Sequence, residues 1–156
     1  MVDKDLEKYS KIISRLKVSN RQGKKAPHKA ILLLSIMSMV ESGELTDNHI
    51  VLSRALEEKF QLYWQTYIGR TPIFRPDIYM PFWYMKSELK LWKLVPYSSY
   101  SYYYNTYHNT MSPSAPMLKR YIQYAEIPKD FFELIKDPLA RVKLAEILFA
   151  KYIFIL

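Results

Sequence analysis

The stretch Arg21-Gln22-Gly23-Lys24-Lys25-Ala26-Pro27-His28-Lys29 concentrates cations immediately ahead of an aliphatic run, Ala30-Ile31-Leu32-Leu33-Leu34. Pro27 suits the first position of a helix, where its missing N–H costs nothing and its φ is already set. A helix start carries partial positive charge and unpaired N–H donors, so acidic neighbours stabilise it. Arg21, Lys24, Lys25 and Lys29 stand there instead. Such an arrangement is unfavourable until an anion completes it, and phosphate is the usual one. The segment reads as a phosphate-binding corner.

A second set of residues suits contact rather than catalysis. Tyr97, Tyr100, Tyr102, Tyr103, Tyr104 and Tyr107 are interleaved with Ser98, Ser99, Ser101, Asn105 and Thr106. Amphipathic rings among small hydrogen-bonding side chains make an adaptable surface. On a nucleic acid they can bond phosphates or stack on bases. Signals for chemistry are thin by comparison. His28, His49 and His108 lie far apart and form no metal-binding pattern. Three glycines leave no phosphate-gripping loop and no nucleophile elbow. The acids sit mostly at helical spacing among lysines, where surface pairing explains them. No catalytic residue, metal or cofactor is expected of this chain.

Charge and composition agree with an anionic partner. The 156 residues carry a formal net charge of +8, enough imbalance to favour nucleic acid over a neutral surface. The basic residues are clustered: seven fall between Lys11 and Lys29 with no acid among them. A second acid-free stretch, Leu89 to Ala125, holds Lys90, Lys93, Lys119 and Arg120. Without cysteine there are no disulfides and none of the common zinc patterns. No apolar run approaches the roughly 20 residues that span a bilayer, and the charged N-terminal ten residues lack a signal-peptide core. A soluble, cytoplasmic protein with no membrane partner is expected.

The elements that must position these residues can be read in outline. Leu6, Tyr9, Ile13 and Leu16 predict a helix from Asp3 to about Leu16. A buried helix follows from Pro27 to Glu41, stopped by Gly43. A third runs from Asn48 to about Tyr67, after which Gly69, Pro72 and Pro76 break the chain. Met80 to Met85 and Leu89 to Val95 read as two short strands joined at Lys86-Ser87-Glu88. Pro96 to Pro116 reads as a loop, and Met117 to Tyr124 as either strand or helix. A short helix is expected over Lys129 to Ile135. Asp137-Pro138 then supplies a cap and first-turn proline for a closing helix. The sum is one compact α+β domain, mostly helical, with a small antiparallel sheet.

The pattern Ala26-Pro27-His28-Lys29 before an aliphatic helix, then Pro81-Phe82-Trp83-Tyr84-Met85 leading to Trp92-Lys93-Leu94-Val95, resembles the DNA sulfur-binding domain of McrA-type, HNH-containing type IV restriction endonucleases. The run from Phe131 to Arg141 looks like the end of the same domain, so the resemblance spans residues 1–156 nearly throughout. It implies recognition of a phosphorothioate, in which sulfur replaces a non-bridging oxygen of double-stranded DNA. Sulfur is larger, softer and a poorer hydrogen-bond acceptor than oxygen. A proline ring and apolar side chains beside a cation can therefore hold sulfur and charge together.

By that resemblance His28, Lys29, Met80, Pro81 and Tyr84 form the sulfur pocket, and Arg21, Lys24 and Lys25 hold flanking phosphates. Tyr102, Tyr104 and Lys119 are further candidate DNA contacts. Two positions depart from the family: Met80 replaces a common tyrosine, and bulky Tyr84 stands where a small residue is expected. The nuclease half is missing, since His108-Asn109 does not make an HNH unit. The chain is then a stand-alone reader or the recognition part of a longer endonuclease, with an HNH domain or partner subunit elsewhere. The alternatives are a single-stranded DNA or RNA module stacking bases on its tyrosines, and a nucleic-acid enzyme built from scattered acids. The apolar end, Tyr152-Ile153-Phe154-Ile155-Leu156, points to a missing segment or a partner surface or, more simply, docks on the domain's own core.

Overall fold

The computed structural model describes residues 2–154. At its centre lies helix α2, His28–Glu41, which is apolar on every side and buried from Lys29 to Met37. A helix of that kind is stable only when wrapped by others. Three helices wrap it: α3 (Arg54–Tyr67), α4 (Tyr79–Tyr84) and α8 (Pro138–Leu148). Helix α1, Val2–Ile13, packs on α8 and on α7, Lys129–Ile135. Tyr9 and Ile13 are its buried stripe.

Local chemistry explains most of the boundaries. Asp137 caps α8, its carboxylate accepting from the Ala140 N–H at 2.8 Å, and Pro138 fills the first turn. Ser53 caps α3 by accepting from Leu56. The third helix therefore starts at Arg54 rather than Asn48. The residues before it form strand β3, His49–Ile50, which pairs antiparallel with β5, Ile122–Glu126. Strand β4, Lys93–Pro96, pairs along the other side of β5 and completes a three-stranded antiparallel sheet in the order β3-β5-β4.

Three further expectations are corrected. Met80 to Met85 belongs to helix α4 and the 3-10 turn Met85–Ser87, not to a strand. A short apolar run carries no period that separates strand from buried helix. Pro81 fits because it lies in the first turn, where no N–H has an intrahelical partner. The second strand is also shorter than expected, since Leu89 to Trp92 turn before β4. The tyrosine-rich segment is helical rather than a loop: a 3-10 turn at Ser98–Tyr100, α5 at Ser101–Tyr107 and α6 at Ala115–Tyr121. Packing supplies the reason. Tyr104 sets its ring at 90° to buried Trp83, and Tyr100 and Tyr103 both lie against Tyr121. Met117 to Tyr124 turns out to be both elements in succession, the end of α6 and the start of β5.

The basic segment before α2 is not part of that helix. Asn20–Arg21 (β1) and Lys24–Lys25 (β2) form a two-stranded hairpin. Its turn residues, Gln22 and Gly23, have φ of 53° and 77°. Two positive φ values in a two-residue connection match the right-handed twist of the strands, and glycine takes the second without strain. At the far end, α8 continues through a wider π-type turn, Phe149–Ile153. Tyr152 and Ile153 are buried, and the Tyr152 hydroxyl donates to the Ile13 carbonyl at 2.6 Å while accepting from Leu16 N–H. Phe154 is exposed and stacks on Phe149. Ile155 and Leu156, the rest of that apolar end, lie outside the described residues.

Candidate functional site

An open cleft of about 830 Å³ lies between the N-terminus of α2, the segment before the hairpin, the loop after α3, and α4. His28, Lys29, Met80, Pro81 and Tyr84 all line it, and so does Arg21. Two stretches that are distant in sequence thus share one concavity. Lys24, Lys25, Tyr102, Tyr104 and Lys119 do not line it. Lys24 and Lys25 are exposed on the hairpin, and Lys25 lies over the Tyr152 ring. Lys119 pairs with Glu57 at 3.0 Å. Tyr102 is 79% exposed, whereas Tyr104 is buried.

The cleft joins an apolar wall to a charged rim. Pro81 and Phe74 are buried in the wall, and Met80 and Tyr84 stand partly exposed at its edge. Val18 and Ala26 extend it. Arg21, Arg75 and Lys17 are exposed cations on the lining. Arg21 is anchored by a bond from Nη1 to the Ile73 carbonyl, 3.2 Å. Asp77 is also present, accepting from the Tyr79 hydroxyl at 3.2 Å and pushing that phenol's pKa up.

His28 is fixed in one tautomer. Its Nε2 lies 2.6 Å from the Arg75 carbonyl, which can only accept, so Nε2 carries the proton. The ring is clasped by Trp64 at 4.7 Å and by Phe74 edge-on at 5.8 Å. Burial pulls its pKa below the ordinary histidine value, against the opposing pull of the Arg75 carbonyl and Asp77, and Arg21 lowers it further. His28 is therefore a neutral, oriented ring near neutral pH, with Nδ1 as its acceptor.

Lys29 has a resident anion. Its ammonium lies 2.7 Å from Glu88 Oε2, 2.5 Å from the Lys17 carbonyl and 3.4 Å from Ser87 Oγ. Both members of the ion pair are buried. For Lys29 the anion is a carboxylate of the chain itself. Removing one partner of such a pair costs roughly 3–5 kcal/mol, because the other is left charged in a poor solvent.

Sequence motifs do not single out Arg75, Asp77, Lys17 or Glu88 as site residues. One signal exists for the two acids. Asp77 and Glu88 are the only acidic residues between Glu58 and Glu126, and both stand at or beside the cleft. Arg75 has none beyond its charge, because loop geometry alone brings it to the rim.

A comparison with solved structures decides the fold. The sulfur binding domain of SprMcrA, solved in complex with phosphorothioated DNA, superposes with a TM-score of 0.60 over 94% of this chain and 85% of that one, at 15% identity. The chain has the sulfur-binding-domain fold. No protein-family profile matches the sequence, and no curated protein does. The likeness in fold thus extends well beyond Ala26 to Lys29 and Pro81 to Met85, over 94% of this chain. Among the described residues, no group of three or more His, Cys, Asp or Glu side chains could hold a metal ion, and no helix is long and apolar enough to cross a membrane.

Proposed function

We propose that this chain binds phosphorothioate-modified double-stranded DNA as a recognition module in restriction or defence. One observation carries the reading: in a sulfur-binding-domain fold, His28, Pro81, Met80 and Tyr84 meet in a single cleft whose rim is cationic. In this proposal the sulfur lies against the Pro81 ring with Met80 and Tyr84 beside it. Met80 offers a soft, polarisable contact where a tyrosine would offer a hydroxyl. Arg21, Arg75 and Lys17 face the negative charge of the modified phosphate and its neighbours, contacts that position the protein without reading bases. Lys24 and Lys25 on the hairpin, and Tyr102 and Lys119 farther off, serve flanking backbone.

Residues 1–156 act in this reading as one non-catalytic cytoplasmic unit, and cleavage belongs to an HNH domain or subunit elsewhere. The test is binding to two duplexes of one sequence, one with a single phosphorothioate of defined stereochemistry, at roughly physiological salt so that nonspecific attraction is suppressed. Markedly tighter binding to the modified duplex is expected. Equal binding overturns the sulfur reading and leaves a generic nucleic-acid binder.

A further inference from the structure

We propose that Glu88 is the resident counter-anion of Lys29 and sets specificity by keeping that cation away from ordinary DNA phosphates. The specificity half rests on the function proposed above. The ammonium of a lysine has three donors, and the structure gives them the Lys17 carbonyl, Glu88 Oε2 and Ser87 Oγ. The same Glu88 oxygen accepts the Lys17 N–H at 2.8 Å. The pair therefore grips both backbone polar groups of Lys17. That closed arrangement ties together the segment carrying Lys17, the start of α2 and the turn after α4, which are three sides of the cleft.

The consequence is a division of labour. The floor of the cleft is net neutral where Lys29 meets Glu88, and His28 adds an uncharged ring. A phosphate oxygen pushed against that floor would lose water without gaining an ion partner, which is costly. A sulfur atom loses less hydration and gains the apolar wall. Arg21, Arg75 and Lys17 are exposed on the rim and attract modified and ordinary backbone alike. Affinity then comes from the rim and discrimination from the floor. Asp77, the acid on the lining itself, acts in the same direction by repelling a phosphate that the rim does not hold.

The experiment compares three proteins on the modified and unmodified duplexes across a salt series: wild type, Glu88→Gln, and the double variant Lys29→Met with Glu88→Gln. Glu88→Gln frees the charge of Lys29. It should bind the unmodified duplex about tenfold more tightly, with a salt slope steeper by about 0.9 and a smaller preference for sulfur. The double variant is as neutral as the native pair, and the amide at position 88 can still accept from the Lys17 N–H. It should return the salt slope to the wild-type value, because neither side chain then carries a charge that could reach a phosphate. An unchanged slope in Glu88→Gln overturns the proposal. So does a double variant that weakens on both duplexes with a slope shallower by about 0.9, because Lys29 would then be touching phosphate itself. If melting shows Glu88→Gln to be unfolded, the double variant decides alone. A wild type without preference for sulfur removes the proposed function but leaves the slope comparison intact. A wild type with that preference and an unmoved slope in Glu88→Gln removes only the role of Glu88.

Discussion

The indole N–H of Trp92 donates to the carbonyl of Phe82 at 2.9 Å, and the two rings meet edge to face at 5.2 Å. This bond ties the approach to β4 to α4, which also packs on α2 and carries Met80, Pro81 and Tyr84 into the cleft. Trp92→Phe leaves a buried carbonyl unpaired and a void beside it. A destabilisation of about 2 kcal/mol is expected, which lowers Tm by about 4–8 °C in a domain of this size. Calorimetry checks the stability. A fall in modified-duplex affinity larger than the fall for unmodified DNA checks the link to the wall.

Met80 and Tyr84 are partly exposed, so their substitution tests recognition with little effect on folding. Met80→Ala and Tyr84→Ala should each weaken modified-duplex binding by about three- to tenfold, the value of a partly buried apolar contact. Binding to the unmodified duplex should barely change. If both duplexes weaken equally, these side chains are not the seat of the sulfur.

Arg21 and Arg75 predict the opposite pattern. Each is exposed at the rim, and replacement by alanine should weaken both duplexes alike. The logarithmic salt slope should become shallower by about 0.9 for each phosphate that the variant no longer neutralises. A slope unchanged by Arg75→Ala would place that guanidinium off the DNA.

Acid should destabilise the fold through His28. Burial holds its folded pKa below the ordinary value of 6.5, so the unfolded chain takes a proton that the folded chain refuses. Stability from this group is whole above 6.5 and is lost as pH falls toward the folded value. His28→Asn should flatten the dependence of Tm on pH below about 6.5. Some slope should remain from His108, whose pKa is lowered first by burial and then by the Lys86 ammonium 3.1 Å away. An identical slope in the variant would assign the whole acid response to other groups.

Tyr102 and Tyr104 are two residues apart and have opposite fates. Tyr104→Ala removes a ring packed on Trp83 and stacked with His108, and should cost about 3 kcal/mol or more. Tyr102→Ala should leave stability within about 0.5 kcal/mol. If Tyr102→Ala also abolishes binding to single-stranded DNA while sparing the modified duplex, the stacking alternative gains a function of its own.

Features that depend on neighbours within a turn or two are legible along the chain. The aliphatic run places α2, although Pro27 stands at the cap position just before it and not in its first turn; Gly43 ends it, and Asp137-Pro138 places α8, because caps and prolines act on the backbone locally. The clustering of cations is also legible, and two short motifs carry the likeness to a known fold. Packing settled which residues face one another. Lys29 reads as a cation needing an anion, but Glu88 stands 59 positions away, and only the folded chain could choose a protein carboxylate over a ligand. Met80 to Met85 became helix, and Tyr104 turned inward while Tyr102 did not, because those outcomes depend on Trp83 and α2 as neighbours. Arg75 reached the rim because the loop after α3 folds back until its carbonyl meets His28. Caps, turns and charge act over a few residues, whereas burial and pairing are properties of the packed whole.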